Sequence, residues 1–285
     1  LASKDKGFYS KNTLNINGII LDLSTPKIMG ILNVTKDSFY DGGRYLDKKA
    51  IAEQVKKLII EGADIIDIGG YSSRPGARHI DAETEYERLK TGLDIIRSVS
   101  SDIPVSVDTF RADIAKKCLD RGANMINDIS AGELDPEMIS TISGYQVPYV
   151  IMHMTGPPQN MMENVNYENL QNEMLNYFAK KLQLLTQFGI KDVIIDVGFG
   201  FSKTVSQNHE ILRYLQLFEM LNAPILVGIS RKSMIYKVLE TSPAEALNGT
   251  SVLNAIALLN GASIVRVHDV KEAKEVNKLL NYKDN

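Results

Sequence analysis

The chain has 285 residues, 44% of them hydrophobic and 24% charged, with a formal net charge of −3. There is enough apolar material for a sizeable core, and no basic excess points to nucleic acid, so an anion has to be met by a local cluster of cations. A single cysteine, Cys118, excludes an intrachain disulfide and a cysteine-based zinc site, while no apolar run approaches the roughly 18 residues of a membrane span.

The polar stretch from Leu1 to Asn12 lacks the apolar centre of a signal peptide, so a cytoplasmic location is expected. Thr13 to Ser24 alternates around Asn17-Gly18, the strongest short hairpin signal, and predicts a hairpin over 13–24. Ile28 to Val34 is an almost continuous apolar run, as in a strand covered on both faces. It passes into a polar loop holding Asp37, Ser38, Asp41, Gly42 and Gly43. Ile51, Val55, Leu58 and Ile59 give the helix predicted over 47–61 a single apolar face.

From there strands and helices alternate. Strands are predicted at 63–70, 104–109, 125–130, 147–153, 193–197, 224–228 and 262–268. Helices are predicted at 81–100, 111–121, 133–143, 206–220, 243–260 and 270–280, with a long one carrying Leu170, Met174, Phe178, Leu182 and Leu185 on one side. Eight strands, each followed by a helix and with no linker between them, predict one TIM (β/α)8 barrel domain, spanning 1–285 with the barrel at about 26–281 behind the N-terminal hairpin. A doubly wound open sheet is the alternative, but no Gly-x-Gly-x-x-Gly follows the first strand.

The polar residues fall at the C-terminal ends of the strands: Asn33, Asp67, Asp108, Asn127, His153, Asp196, Lys232, and Arg266 with His268. In a barrel these ends converge on one mouth. Taken singly, each is equally well a solvated strand end or a helix cap. Asp108, Asn127 and Asp196 together suit a flat heterocycle edge rich in N–H donors, such as an aminopyrimidinone. A metal is the competing use of that set. Arg74, Lys232, Arg266 and His268 suit a phosphate group; Lys232 alone is also a Schiff-base candidate. Phe39, Pro75 and Phe201 offer an apolar slot for a second flat substrate, next to glycine-punctuated loops able to close over a ligand.

With these motifs assembled, the chain resembles the dihydropteroate synthase family. The resemblance rests on Met29-Gly30-Ile31-Leu32-Asn33-Val34-Thr35 with Asp37-Ser38-Phe39 and Asp41-Gly42-Gly43; Asp67-Ile68-Gly69-Gly70 with Ser73-Arg74-Pro75-Gly76; Val107-Asp108-Thr109; Ile126-Asn127-Asp128; Met152-His153-Met154; Asp196 with Gly198-Phe199-Gly200-Phe201; Ser230-Arg231-Lys232-Ser233; and Arg266-Val267-His268. Each is weak alone, while their order over nearly the whole chain is specific.

The resemblance implies condensation of 6-hydroxymethyl-7,8-dihydropterin diphosphate with 4-aminobenzoate, with diphosphate released. It implies pterin contacts at Asp108, Asn127, Met152, Asp196 and Lys232. Asn33, Ser73, Arg74, Arg266 and His268 would meet the diphosphate, with Asn33 also on a Mg²⁺ ion. Phe39, Pro75, Phe201, Lys232 and Ser233 would line the aminobenzoate slot. Asp108, Lys232, Arg266, His268, Asp37 and Asp41 would carry the catalytic work, in a homodimer acting on small molecules and on neither nucleic acid nor membrane. Apolar Leu253, Ile256, Leu258 and Leu259 near the C-terminus suit either that dimer or the core.

The chain departs from the family pattern at Lys36 and Val197, where proline is usual, and at Tyr71 and Ser73, where glutamate and threonine are usual. Two rival readings share the pterin set: a pterin-dependent methyltransferase on the same barrel, and a non-catalytic pterin-binding protein. The methyltransferase has no need of the diphosphate cluster. The binding protein has no need of the loop residues.

Overall fold

The computed structural model describes residues 12–35, 48–72, 79–156 and 165–282. The hairpin pairs β1 (Thr13–Ile16) with β2 (Ile19–Asp22) antiparallel, Ile16 opposite Ile19. Only Asn17 and Gly18 are left for the turn, at φ 49° and 85°. Positive φ at both positions makes the tight turn whose twist matches its strands, and Asn and Gly tolerate it best.

The barrel runs β3 (Lys27–Asn33), α1 (Lys48–Ile60), β4 (Ile65–Gly69), α2 (Ala82–Val99), β5 (Val105–Asp108), α3 (Ala112–Asp120), β6 (Met125–Asp128), α4 (Met138–Tyr145), β7 (Tyr149–Met152) and α5 (Leu170–Gln187). It continues with β8 (Val193–Asp196), α6 (Val205–Arg213), β9 (Ile225–Val227), α7 (Ser233–Tyr236), α8 (Leu247–Leu259), β10 (Ile264–Val267) and α9 (Val270–Leu280). Strands β3 to β10 are parallel and neighbour one another in chain order. β10 closes on β3 with Arg266 level with Met29.

Alternation along each strand divides the side chains into two sets. Ile28, Ile66, Val105, Ile126, Ile151, Ile195, Val227 and Val265 face the helices and join the main core. Met29, Ile65, Met125, Val150, Ile194, Leu226 and Ile264 fill the barrel interior at its N-terminal end. Leu14 and Leu23 of the hairpin segment pack onto that second set and close the barrel floor. Further up, the inward positions turn polar: Asp67, Ser106, Asp108, Asn127, Asp196 and Arg266. An apolar floor thus lies beneath a polar mouth at the C-terminal end.

Three predicted helices change on folding. The Asp128 carboxylate takes the backbone N–H groups of Ser130 and Gly132, and Asp135 takes that of Glu137. Such local bonds compete with the helix ladder, so α4 starts only at Met138. The helix predicted at 206–220 divides into α6 and a 3-10 helix, Leu215–Leu221, that buries Leu215 and Phe218 three residues apart. The one predicted at 243–260 also divides, into a 3-10 turn at Pro243–Glu245 and α8. Arg231 Nη1 draws the Pro243 and Ala244 carbonyls outward at 3.0 and 2.6 Å. The short helix α7 is an addition to the predicted elements. Among the described residues, no helix is long and apolar enough to cross a membrane.

Candidate active site

Four strand ends share one register row across the mouth. Asn33 lies level with Gly69, Gly69 with Asp108, and Asp108 with Asn127. A Cβ on Gly69 would sit 3.6 Å from Asn33 Oδ1 and 3.7 Å from Asp108 Cβ. The bare glycine therefore leaves a cradle between the amide and the carboxylate.

Arg266, reaching inward from β10, ties this row together. Its Nε donates to Asp67 Oδ2 at 2.6 Å and its Nη2 to Asp108 Oδ2 at 2.8 Å. Asn127 Nδ2 donates to the same Asp67 oxygen at 3.2 Å. Asp67 is fully buried, and its Oδ1 has no hydrogen-bond partner among the described residues. Burial alone would lower the guanidinium's pKa, but Asp67 and Asp108 more than offset this and hold it above its ordinary value. The Asp108 side chain keeps 22% of its surface exposed at the mouth. Burial raises its carboxyl to about 7, with Arg266 opposing the rise and Asp67 adding to it.

The opposite wall carries the second pair. Asp196 ends β8, is pushed up by burial against the pull of Lys232, and accepts the Gly198 N–H at 2.8 Å. Lys232 precedes α7. Its Nζ donates to the Phe199 carbonyl at 2.6 Å and lies 4.9 Å from the centre of the Phe201 ring. Burial lowers it to about 8, with Asp196 pulling the other way. Phe201 packs with Met152, Ile129, Met154 and Phe110 in a small apolar cluster of its own. Ser233 is the first residue of α7, and the His268 N–H meets Ser230 Oγ at 3.2 Å.

Asn33, Asp108, Asn127, Met152, Asp196, Phe201, Lys232, Ser233, Arg266 and His268 thus all fall at the C-terminal end of the barrel. Asp37, Phe39, Asp41, Ser73, Arg74 and Pro75 lie outside the described residues. Arg231, beside Lys232 in the sequence, makes its bonds elsewhere. It grips Asp269 at 2.9 and 2.8 Å and braces the loop before α8.

Sequence reasoning gave no role to Asp67 or Lys203. Asp67 stands at a strand end like its neighbours, but its partner Arg266 is 199 residues away. Lys203 reads as a solvated loop lysine, yet it is 2% exposed. Its Nζ meets His153 Nδ1 at 3.1 Å and the carbonyls of His153, Gly198 and Phe201 at 3.2, 3.2 and 3.0 Å. Burial lowers Lys203 to about 7, while burial and then the nearby ammonium hold His153 down to about 3. His153 is therefore neutral, its Nδ1 accepting from Lys203.

Two of the departures from the family pattern, Tyr71 and Val197, find seats, while Lys36 and Ser73 lie outside the described residues. Tyr71 meets Phe110 edge to face with centroids 5.3 Å apart, its hydroxyl 3.3 Å from His79 Nδ1. Arg111 lies over both rings and pairs with the buried carboxylate of Glu85. Val197 is buried in the main core.

The model of the family described as pterin binding enzyme matches residues 29–268. The chain is 40% identical over 257 residues to a dihydropteroate synthase of Synechocystis, covering 89% of each chain. To the dihydropteroate synthase of Escherichia coli K12 it is 38% identical over 267 residues, covering 92% of this chain and 93% of the relative. In structure it is similar to Yersinia pestis dihydropteroate synthase in a sulfonamide drug complex, with a TM-score of 0.87, 34% identity, and 94% and 98% of the two chains covered. A Xanthomonas albilineans dihydropteroate synthase with 4-aminobenzoic acid gives a TM-score of 0.88 at 33% identity, covering 94% and 97%.

Proposed function

The chain belongs to the dihydropteroate synthases of the pterin-binding enzyme family, and we propose that its barrel mouth joins 6-hydroxymethyl-7,8-dihydropterin diphosphate to 4-aminobenzoate. The products are 7,8-dihydropteroate and diphosphate, which makes the chain a transferase of folate biosynthesis. The observation that carries this reading is the set Asp108, Asn127 and Asp196 facing one mouth together with Lys232 and Arg266. Two carboxylates and an amide match the donor-rich edge of a pterin, and Lys232 supplies a donor to its acceptor edge.

In this reading the pterin lies over Met152 and against Asp108, Asn127 and Asp196. A pterin N–H that reaches Asp108 competes with Arg266 Nη2. Entry of the pterin therefore turns the guanidinium towards the diphosphate, while the Asp67 bond holds Nε in place. His268, Asn33, Ser73 and Arg74 complete the diphosphate site. The Asn33 amide oxygen beside the cradle at Gly69 fits a Mg²⁺ ion that takes its remaining ligands from water and diphosphate, the usual manner for that ion. Among the described residues no group of three His, Cys, Asp or Glu could hold a metal. When bound, the ion neutralises charge on the leaving group.

Bond breaking runs ahead of bond making. Diphosphate departs from the methylene carbon, the dihydropterin ring spreads the positive charge, and Asp108 stabilises that charge through the ring nitrogens. The amine of 4-aminobenzoate then attacks from a slot lined by Phe39, Pro75, Phe201, Lys232 and Ser233, closed by the loop of Asp37 and Asp41, forming the C–N bond and giving up one N–H proton to the released diphosphate. No protein nucleophile is required. Positioning and electrostatics supply the rate. A sulfonamide that mimics aminobenzoate would compete in that slot.

The exposed strip Val252, Ile256 and Leu259 on α8, with Leu239 beside it, is the proposed homodimer face of a cytoplasmic enzyme. Leu253 and Leu258 instead pack partly against the core. Sedimentation of the purified chain tests the dimer. The activity is tested by mixing protein, pterin diphosphate, 4-aminobenzoate and Mg²⁺ and measuring dihydropteroate and diphosphate. Well-folded protein that forms neither overturns the assignment.

A further inference from the structure

The segment from Asp196 to Thr204 leaves β8 and turns into α6, carrying Phe199 and Phe201 on the way. It contains no regular structure, yet its polar groups are held from inside. The Gly200 N–H donates to Asn208 Oδ1 at 2.7 Å. Ser202 Oγ bonds both backbone groups of Thr155, at 3.0 and 2.9 Å. The Tyr167 hydroxyl donates to the Ser202 carbonyl at 2.8 Å. At the centre sits the Lys203 ammonium, with the carbonyls of Gly198 and Phe201 on its own loop and those of His153 and its ring on β7's far end.

We infer that Lys203 is the positioning residue of the aminobenzoate slot: its buried Nζ gathers the carbonyls of the loop that presents the Phe201 ring.

First, no carboxylate bonds to this lysine among the described residues; its hydrogen-bond partners are three carbonyls and a neutral imidazole. Burying a charge on neutral acceptors is costly unless all of its donors are engaged. Four acceptors for three N–H bonds meet that condition, and a loop shifted outward would not. Second, the acceptors flank both aromatic residues: Gly198 precedes Phe199, and Phe201 is itself an acceptor. Third, the loop can come this close only because residue 198 is glycine. A Cβ there would lie 2.2 Å from the His153 carbonyl oxygen and 3.2 Å from Lys203 Nζ, and its φ is +71°. Its effect passes through the Phe201 ring, whereas the Lys232 backbone is held apart from this loop, at the start of α7, by its own N–H bond to the Ile229 carbonyl at 3.1 Å.

The inference rests on the synthase reading and predicts an uneven effect on the two substrates. Asp108, Asn127 and Asp196 belong to barrel strands that other contacts hold. Phe201 lies five residues beyond Asp196 and depends on the loop. The experiment compares wild type with Lys203→Met, which keeps the length and loses the charge. Wild-type turnover tests the synthase reading by itself. In the variant, the KM for 4-aminobenzoate should rise roughly tenfold or more, while the Kd for the pterin diphosphate by calorimetry stays within about threefold. A KM within about twofold of wild type overturns the inference, as does an equal loss for both substrates. Should Lys203→Met fail to fold, Lys203→Gln, which loses the charge and keeps two N–H donors, should raise the KM for 4-aminobenzoate by a smaller factor and leave the pterin Kd unchanged, and an equal loss for both substrates again overturns the inference. If neither variant folds, Lys203 serves stability rather than the slot, and the inference falls.

Discussion

Arg266 Nε donates to Asp67 Oδ2 at 2.6 Å, joining β10 to β4 across the intervening β3. Asp67 is wholly buried, and Arg266 is 19% exposed. The pair fixes the guanidinium at one end, while Nη2 donates to Asp108. Asp67→Ala takes one of two carboxylate partners from a partly exposed cation, and losing a hydrogen bond to a charged group costs about 1.5–3 kcal/mol. Urea unfolding should show that loss. The same variant should bind pterin diphosphate more weakly, because Arg266 and Asn127 both lose an anchor. Unchanged unfolding and binding would refute the anchoring role.

Pterin binding should depend on pH from both sides. It needs Asp108 ionised, and that carboxyl titrates at about 7. It needs Lys232 protonated, and that ammonium titrates at about 8. Affinity therefore rises through the first value and falls through the second, with the upward shift of Asp196 steepening the acid side. Calorimetry of wild type, Asp108→Asn and Lys232→Met checks this. Constant wild-type affinity from pH roughly 6 to 9 contradicts it.

The same group acts on stability with a definite sign. Above its ordinary value of 3.8 the unfolded chain has lost the Asp108 proton, which the folded chain keeps up to about 7. Within that window the folded state binds more protons, so the contribution of Asp108 to stability falls as pH rises. Thermal unfolding of wild type should show that slope, and Asp108→Asn should reduce it.

Much of this was legible in the sequence. The strand ends Asp108, Asn127 and Asp196 stand out because each follows an apolar run, and a barrel needs no further information to bring such ends together. Asp67 stands out equally, but its function depends on Arg266, and no local pattern links the two. Lys203 is invisible for a different reason. After Gly-Phe-Gly-Phe-Ser, a lysine reads as solvated, and only the closed loop reveals carbonyls gathered around it. The helices that divided did so where side chains took backbone groups from the ladder. Arg231 does this at Pro243 and Ala244, twelve and thirteen residues away.

Phe201 gives a sharper test of the slot. Its ring packs in the cluster with Met152 and Met154 and lies beneath Lys232. Phe201→Ala removes that ring and a cation–π contact of about 0.5–2 kcal/mol. The KM for 4-aminobenzoate should rise roughly tenfold, equivalent to about 1.4 kcal/mol. The Kd of pterin diphosphate, measured without aminobenzoate, should change little. An effect confined to the pterin would place Phe201 in the other subsite.

Gly198→Ala probes the same loop through its backbone. The residue has φ +71°, where an L-residue is disfavoured by roughly 1–2 kcal/mol. Its Cβ would also lie 2.2 Å from the backbone oxygen of His153, which cannot rotate away as a flexible side chain would. The loop must therefore lift from β7, stretching the Lys203 bonds and the Gly198 N–H bond to Asp196 together. We expect a stability loss above about 2 kcal/mol, since strain at such a backbone position adds to the clash. We also expect the KM for 4-aminobenzoate to rise in whatever protein remains folded. Urea unfolding and steady-state kinetics on the folded fraction measure both. Wild-type stability in this variant would mean that the loop can leave His153 without cost, and the close packing of Gly198 against that carbonyl would then have no part in shaping the mouth.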